Sequence, residues 1–266
     1  MNEGSPATSA SKDTLLITDF DGTLYRGSCP FLFRGIANAD LMGALCLRNI
    51  FKVRRLLRLL DGMIRLRCLE RRVRYAYKRG ELTLSDADVQ LVKFCESHIL
   101  AECGLTDIDW GVRLISGFCY RAAWRCFSAL KNRCDFVIVS KSFEFVLEKV
   151  CHRAARYGIE MRYCGNAAGY RATAPRPDSV TTKEDKSARI RDLLAGGTYK
   201  KAIVIGDTED DIAMRDAAVE VLGKPNVLFI CMHAKDPKIA VAADRVFKSW
   251  RAARVFLQSE RPTSKF

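Results

Sequence analysis

Short, uninterrupted apolar runs recur along the chain, and each is followed by residues with helical spacing. The first run is Leu15-Leu16-Ile17, and later runs occupy 136–139, 202–205 and 228–231. An apolar run without polar alternation is typical of a strand buried on both faces, as in a parallel sheet. A pair of short strands is also predicted at 159–174. Strands that alternate with helices predict an α/β protein built on a doubly wound, Rossmann-like parallel sheet.

The stretch between the first two predicted strands has a different pattern. It carries apolar positions at helical spacing, and one of its helices is expected to begin at Ser85, whose hydroxyl would cap it. An insertion of this kind predicts a helical cap domain. The predicted organisation is a disordered polar leader (1–13), an α/β core in two parts (14–27 and 133–256), the inserted helical cap (28–132) and a polar tail (257–266).

Two carboxylates follow the first predicted strand, in the string Asp-Phe-Asp-Gly-Thr-Leu at 19–24. Side chains two residues apart on extended backbone share a face, so Asp19 and Asp21 can point at the same atom. Two carboxylates on one face repel each other, so that the pKa of one is raised or a cation is bound between them. The pair therefore indicates acid/base catalysis or a Mg²⁺ site. For an isolated Asp-x-Asp pair, a solvated turn at the end of a strand is the alternative.

Three later polar residues stand at the ends of predicted elements. Ser140 follows the second predicted strand, Lys186 lies near the start of a later helix, and Asp207 follows the third strand. Together with the string at 19–24, they resemble, in order, the four signatures of the haloacid dehalogenase superfamily of phosphatases. The resemblance covers roughly residues 14–250. The place of the insertion resembles the helical C1 cap of the phosphoserine-phosphatase-like branch, subfamily IB.

The resemblance implies a role for each matching residue. Asp19 would be the nucleophile that attacks phosphorus and becomes an aspartyl phosphate. Asp21 would be the general acid and then the general base, held in place by the hydroxyl of Thr23. Ser140 and Lys186 would bind the phosphoryl group, the first by a hydrogen bond and the second by its charge. These roles predict a phosphatase.

The resemblance also implies a Mg²⁺ cofactor. Asp207 would bind the ion together with Asp19 and the backbone carbonyl of Asp21. Asp211, one helical turn further along, would hold the phosphate-binding lysine or a metal-bound water. Lys183 is an alternative to that lysine, because a residue three positions earlier lies on nearly the same helix face.

Two departures from the phosphoserine phosphatases leave the substrate open. Position 28 is Ser, where those enzymes have a glutamate for the substrate amine, and 140–142 is Ser-Lys-Ser, where theirs is Ser-Gly-Gly. The resemblance to this branch as a whole implies a small phosphorylated metabolite or a glycerophospholipid phosphate such as phosphatidylglycerophosphate, with Arg26 and Lys141 on the substrate side. The alternatives are a phosphotransferase or mutase with the same site, and a membrane-surface binding protein with a disused site.

The predicted cap is strongly basic. Residues 48–79 include twelve Lys and Arg against Asp61 and Glu70, in a chain of net charge +13. Apolar residues are interleaved with these charges, so the segment is predicted to form amphipathic helices that contact an anionic membrane. The alternative is a cap helix whose apolar stripe packs inside the protein while its arginines are solvated. Nucleic acid is not expected as a partner, since a stacking platform of aromatic residues is lacking.

Composition and the chain ends suggest a location. With 48% hydrophobic and 28% charged residues, the chain is typical of a globular protein. The leader lacks the apolar segment of a signal peptide, and no uncharged apolar run reaches the ~18 residues that span a bilayer. We expect a cytoplasmic protein, peripheral to a membrane, or a peroxisome-like location through the tail Ser264-Lys265-Phe266. The eleven cysteines and three histidines have no metal-site or disulfide spacing and are predicted to be structural.

Overall fold

A parallel sheet forms the centre of the protein. The computed structural model describes residues 12–26, 37–167, 183–234 and 237–259. Within these ranges the strands are β1 (Thr14–Thr18), β2 (Cys134–Phe143), β3 (Met161–Asn166), β4 (Lys201–Gly206), β5 (Val227–Met232) and β6 (Arg245–Phe247). Their order is β3-β2-β1-β4-β5-β6, and all neighbouring pairs are parallel. The predicted doubly wound α/β fold is confirmed.

Helices cover both faces of the sheet. In the described ranges they are α1 (Ala37–Arg48), α2 (Val53–Lys78), α3 (Leu84–His98), α4 (Leu105–Ser116), α5 (Arg121–Leu130), α6 (Glu144–Ala155), α7 (Lys183–Ala195), α8 (Glu209–Leu222), α9 (Pro237–Ala242) and α10 (Trp250–Ser259). One face packs against α5, α6 and α10, and the other against α7, α8 and α9. None of these helices has the length and hydropathy required to cross a bilayer.

The apolar run of β1 is consistent with its position in the middle of the sheet. Leu15 and Ile17 join the core on the side of α7 and α8, and Leu16 joins the core on the side of α5 and α6. All three side chains are fully buried, at about 1.5–3 kcal/mol of hydrophobic stabilisation each. The strand also has neighbours on both edges, because β1 pairs with β2 and β4.

Helices α1 to α5 lie between β1 and β2, in the position of the predicted cap. Of these, α1 packs against α4 and α2 against α3, whereas α5 packs against α10 beside the sheet. The rings of Phe127 in α5 and Trp250 in α10 meet edge to face with centroids 5.3 Å apart. The domain boundaries themselves stay a prediction.

The strand order determines where a ligand would bind. From β1 the chain runs to β2 and β3 on one side of the sheet, and then crosses to β4, β5 and β6 on the other side. At such a reversal the connections after β1 and β4 leave on opposite faces, and a crevice opens at the carboxyl ends of the two strands. Asp19 follows β1 and Asp207 follows β4, so the topology brings these residues together.

Two local predictions, on β2 and on α3, differ from the structure, and a third lies only partly within the described ranges. The strand β2 continues past Ser140 to Phe143, with a register shift between Val139 and Phe143. The segment Met161–Asn166 is a single strand parallel to β2, and residues 168–174 of the predicted strand pair lie outside the described ranges. Helix α3 begins at Leu84 instead of after Ser85, because Thr83 supplies the cap. The leader up to residue 11, Ser28 and the tail from residue 260 also lie outside these ranges.

Candidate active site

Asp19 lies one residue beyond β1 and is buried. Its backbone N–H donates to the carbonyl of Ile205 in β4 at 2.9 Å, so the residue is held at the carboxyl ends of β1 and β4. Its carboxylate Oδ1 accepts a hydrogen bond from Lys186 Nζ at 2.9 Å. Burial raises the pKa of Asp19 well above its ordinary value, and the charge of Lys186 opposes this effect. The carboxylate therefore depends on a nearby cation to remain ionised.

Lys186 supplies one such cation from the first turn of α7. Its Nζ also lies 3.4 Å from Asp211 Oδ1, and the side chain is buried. Burial lowers the pKa of Lys186, but the attraction of Asp19 and Asp211 outweighs this, so the pKa is raised above its ordinary value. Lys186 therefore carries a positive charge at neutral pH. The side chain of the alternative, Lys183, lies outside the described part of the structure.

Asp207 and Asp211 come from the junction of β4 and α8. Asp211 Oδ2 accepts hydrogen bonds from the backbone N–H groups of Asp207 and Thr208, each at 2.9 Å. This arrangement caps the helix and fixes the orientation of the Asp211 carboxylate. Gly206 permits the close approach, since a Cβ at this position would lie 2.3 Å from the side chain of Asp211.

Three carboxylates converge at this edge of the sheet and fit a divalent cation. Asp19, Asp207 and Asp211 are buried, and each offers an oxygen within 4.8 Å of the others. Lys186 contributes a single positive charge against three negative ones, so the cluster keeps an excess of negative charge when all are ionised. Hard carboxylate oxygens are the ligands that Mg²⁺ prefers. The predicted Mg²⁺ ligand from Asp21 is its backbone carbonyl, and its carboxylate is not part of this cluster.

The Asp21 carboxylate lies on the β2 side of the site. Ser142 Oγ donates to Asp21 Oδ2 at 2.6 Å, and the backbone N–H of Ser142 donates to Ser140 Oγ at 3.1 Å. Our prediction pairs Thr23 with Asp21, whereas the Thr23 hydroxyl donates to Asp207 Oδ1 at 3.1 Å. Sequence reasoning missed Ser142, although its position two residues after Ser140 was a signal that it lies on the same strand face.

The two residues expected on the substrate side have different environments. Lys141 Nζ lies 2.6 Å from Asp210 Oδ2, so its charge is already paired within the protein. Arg26 is exposed, and its backbone N–H donates to the carbonyl of Phe118 at 3.3 Å. Burial raises the pKa of the nearby Tyr120, the charge of Arg26 lowers it and that of Asp207 raises it. Arg26 and Tyr120 therefore lie within electrostatic range of each other at the rim of the site.

A tryptophan far along the chain anchors the turn after β1 that contains Thr23. Trp250 Nε1 at the start of α10 donates to the backbone carbonyl of Thr23 at 3.0 Å, and both residues are buried. On the far side of the turn, the backbone N–H of Tyr120 donates to the carbonyl of Leu24 at 2.9 Å. No signal in the sequence links Trp250 to a turn 227 residues away. The turn is nevertheless anchored at both of these points.

An acidic cluster with one buried lysine, at the carboxyl ends of parallel strands, lies where α/β enzymes place their active sites. A sequence model described as haloacid dehalogenase-like hydrolase matches residues 16–215. The chain belongs to this family, and the predicted family and enzyme class, a hydrolase, are confirmed. No match was found among curated protein sequences.

Solved structures with the same fold include proteins of several kinds. A protein of unknown function from Bordetella pertussis Tohama I is 17% identical with a TM-score of 0.55, covering 89% of this chain and 99% of its own. A probable phosphoserine phosphatase from Vibrio cholerae is 12% identical with a TM-score of 0.54, covering 96% and 68%. Cytosolic 5′-nucleotidase IIIB bound to cytidine is 12% identical with a TM-score of 0.53, covering 93% and 88%. At these identities the likeness establishes the shared fold.

Proposed function

We propose that the chain is a Mg²⁺-dependent phosphatase that hydrolyses a phosphate monoester through an aspartyl phosphate on Asp19. One observation carries the proposal: the buried Asp19 carboxylate lies 2.9 Å from Lys186 Nζ and shares an acidic cluster with Asp207 and Asp211. A carboxylate used only for structure would gain little from two further acids beside it, because they repel it. A nucleophile that must approach an anionic phosphate needs the cations that this cluster attracts.

In the first step, an oxygen of the Asp19 carboxylate attacks phosphorus, and the bond from phosphorus to the alcohol oxygen breaks. Asp21, in its protonated form, gives its proton to the leaving alkoxide. A hydrogen bond from Ser142 supports this role, because the Ser142 hydroxyl donates to Asp21 Oδ2 at 2.6 Å and fixes the orientation of the acid. The products of this step are the free alcohol and a phosphorylated Asp19.

In the second step, a water molecule attacks the phosphorus of the aspartyl phosphate while the Asp21 carboxylate takes one of its protons. The bond from phosphorus to Asp19 breaks, and inorganic phosphate leaves. Over both steps one water is consumed, one alcohol and one phosphate are formed, and each side chain returns to its starting state.

Catalysis in this scheme comes from positioning and charge. Lys186 holds its proton and neutralises charge on the Asp19 oxygen and on the phosphoryl group. Ser140, which is buried and accepts from the backbone N–H of Ser142, is assigned a hydrogen bond to a phosphoryl oxygen. Asp19, Asp207 and the Asp21 carbonyl would hold Mg²⁺, which supplies charge neutralisation when bound. The Thr23 hydroxyl donates a hydrogen bond to Asp207 and so orients this proposed Mg²⁺ ligand.

The substrate is proposed to be a small phosphorylated metabolite or a glycerophospholipid phosphate. The Vibrio cholerae structure is described as a probable phosphoserine phosphatase, and the nucleotidase was solved with cytidine, so phosphoserine and nucleotides belong among the first candidates. The pairing of Lys141 with Asp210 supports Arg26, more than Lys141, as a contact for an anionic substrate.

The test is phosphate release from a panel of phosphoserine, sugar phosphates, nucleotides and phosphatidylglycerophosphate, with Mg²⁺ or with EDTA. Asp19→Asn is expected to lose at least about 10⁴-fold in turnover, and the exposed Asp216→Asn serves as a charge-matched control. Acid quenching with labelled substrate should leave label on Asp19 of the wild-type protein only. Full turnover in Asp19→Asn would refute the mechanism, and a phosphorylated acceptor alcohol in place of free phosphate would identify a phosphotransferase.

A further inference from the structure

The longest cap helix has an exposed apolar face. Val53, Leu57, Ile64 and Tyr75 of α2 are each between 60% and 65% exposed. Their spacing of four, seven and eleven residues places them on one side of the helix. Phe51, just before the helix, is 94% exposed. We call the four helical residues the outer stripe of α2.

The outer stripe is distinct from the face that holds α2 in the protein. Leu59, Gly62, Met63 and Val73 are the buried residues of this helix, and it packs mainly against α1 and α3. They lie on the opposite side from the outer stripe. Packing inside the cap therefore accounts for one apolar face of α2 and leaves the second one open.

Basic residues flank the outer stripe on both sides. The two rows are Arg54, Arg58, Arg65 and Arg72 on one side, and Arg67, Arg71, Arg74 and Lys78 on the other. Four of these charges are balanced, since Arg58 pairs with Glu102, Arg65 pairs with Asp61, and both Arg67 and Arg74 pair with Glu70. Four others, Arg54, Arg71, Arg72 and Lys78, contact no carboxylate within the described ranges. The face is thus apolar in the middle and has an excess of positive charge at its edges.

We propose that the outer stripe of α2 docks on an anionic lipid bilayer. A helix of 26 residues is roughly 39 Å long and lies in the plane of a membrane with its apolar side chains between the headgroups and its arginines at the phosphates. A second copy of the chain fits this face less well, because a two-fold pairing would bring the rows of arginine against each other. This surface is separate from the residues of the proposed phosphatase site and does not rest on them.

The experiment is sedimentation of the full-length protein with vesicles of phosphatidylcholine alone or of phosphatidylcholine mixed with phosphatidylglycerol. One variant, Arg54→Gln/Arg71→Gln/Arg72→Gln, removes three unpaired charges of the face. A second, Leu57→Ser/Ile64→Ser, interrupts the apolar stripe. The matched control, Arg125→Gln/Lys248→Gln/Arg251→Gln, removes the same charge from exposed positions outside α2. Circular dichroism verifies that each variant is folded, and analytical ultracentrifugation without vesicles reports self-association.

We expect the wild-type protein to bind the mixed vesicles and not phosphatidylcholine alone. The triple Arg variant should bind about 100-fold more weakly, because each basic residue near an anionic surface contributes about 1 kcal/mol. The serine variant should lose at least about tenfold, and the control should bind within about twofold of wild type. The proposal is overturned by a wild-type protein that does not bind, by equal losses in control and α2 variants, or by a dimer that Leu57→Ser/Ile64→Ser dissolves while vesicle binding is unchanged.

Discussion

Gly22 lets the turn after β1 pass directly against the Asp207 carboxylate. Its φ is +79°, and a Cβ at this position would lie 2.2 Å from Asp207 Oδ2. Two costs would follow from a side chain here: the strain of a left-handed backbone, about 1–2 kcal/mol, and the displacement of a proposed metal ligand. The second cost is specific to the site.

We therefore expect Gly22→Ala to lower turnover by at least about 100-fold, because a ligand displaced by an ångström no longer has the geometry that catalysis needs. Gly197→Ala is the matched control, since Gly197 has φ +69° and open space around the missing Cβ. Gly197→Ala should lose about 1–2 kcal/mol of unfolding free energy, and Gly22→Ala should lose at least as much, both measured by urea denaturation. Only Gly22→Ala should lose activity, and a similar loss in Gly197→Ala would contradict the explanation.

The cysteines give a prediction that depends on pH. Burial raises the pKa of Cys95, Cys119 and Cys126 to about 12 each. The thiolate is the reactive form, so at pH 8 only about one such thiol in 10⁴ is able to react. Cys68 is exposed on α2. We expect iodoacetamide at pH 8 to label Cys68 before Cys95, Cys119 and Cys126 in the native protein.

Peptide mapping after short labelling times would measure this order. Raising the pH toward 11 should increase labelling of the buried thiols, because their pKa lies above the ordinary value and their thiolate fraction grows tenfold with each pH unit. Unfolding in urea should make all of them react alike at pH 8. Native Cys119 that reacts as fast as Cys68 would show that the interior around it is open to solvent.

Among the site residues, those at strand ends were predictable and those that depend on local turns were not. Asp19 and Asp207 follow apolar runs, and the ends of parallel strands meet at one edge of a sheet. Thr23 lies in the turn near both Asp21 and Asp207, and the sequence holds nothing that selects between two carboxylates in reach of one hydroxyl. The choice depends on the positive φ of Gly22, which sends the turn toward Asp207.

At the scale of elements, α10 acts as a support for the turn between β1 and the cap. The Trp250 ring packs on Phe127, and its N–H binds the carbonyl of Thr23 at 3.0 Å. Without this donor the buried carbonyl would lose a partner, which costs about 1–3 kcal/mol. A contact between chain segments so far apart couples the last helix to the residues after β1.

Trp250→Phe keeps most of the ring packing and removes the N–H group. We expect a loss of roughly 1–3 kcal/mol in unfolding free energy and a roughly ten- to hundredfold loss in turnover, because the turn would be less precisely held. Trp124→Phe is the matched control, since Trp124 is equally buried and its Nε1 has no acceptor within the described residues. Denaturation and kinetics on both would test this, and equal effects would assign the loss to packing alone.

The ends of the elements show why their bounds are hard to predict. Both Thr83 and Ser85 are good N-cap residues, and the choice falls on Thr83 because Asp86 then completes a reciprocal capping box. In β2 the apolar pattern stops at Val139, yet pairing with β3 resumes at Phe143. Pairing between strands extends an element beyond its apolar run, and this is a tertiary effect.

For the whole molecule, hydrophobic runs were sufficient to predict the class of fold but not the strand order. Any buried strand satisfies the same pattern, so β1 could not be placed between β2 and β4 from its composition. The strand β6, whose residues Arg245–Phe247 are mostly exposed, had no apolar run to reveal it. The order becomes clear only from long-range pairing, and it is this order that creates the crevice.

The buried site is acidic, although the whole chain is basic. The chain carries +13 overall, yet Asp19, Asp207 and Asp211 converge in its interior with Lys186 as a cation that contacts two of them. Buried like charges destabilise the folded state unless a counter-ion joins them. We infer that a bound divalent cation stabilises the native protein as a whole, since the unfolded chain would not assemble this cluster.

Mg²⁺ should therefore raise the melting temperature relative to EDTA. Saturation at about 100 times the dissociation constant stabilises by about 2.7 kcal/mol, which for a chain of this size corresponds to a shift of roughly 5–10 °C. Asp207→Asn should abolish the shift, and Asp216→Asn, on the surface of α8, should retain it. In EDTA, Asp207→Asn should melt no lower than the wild type, because the amide can still accept from Thr23 while one of three repelling charges is gone. An unchanged Mg²⁺ shift in Asp207→Asn, measured by differential scanning calorimetry, would place the cation elsewhere.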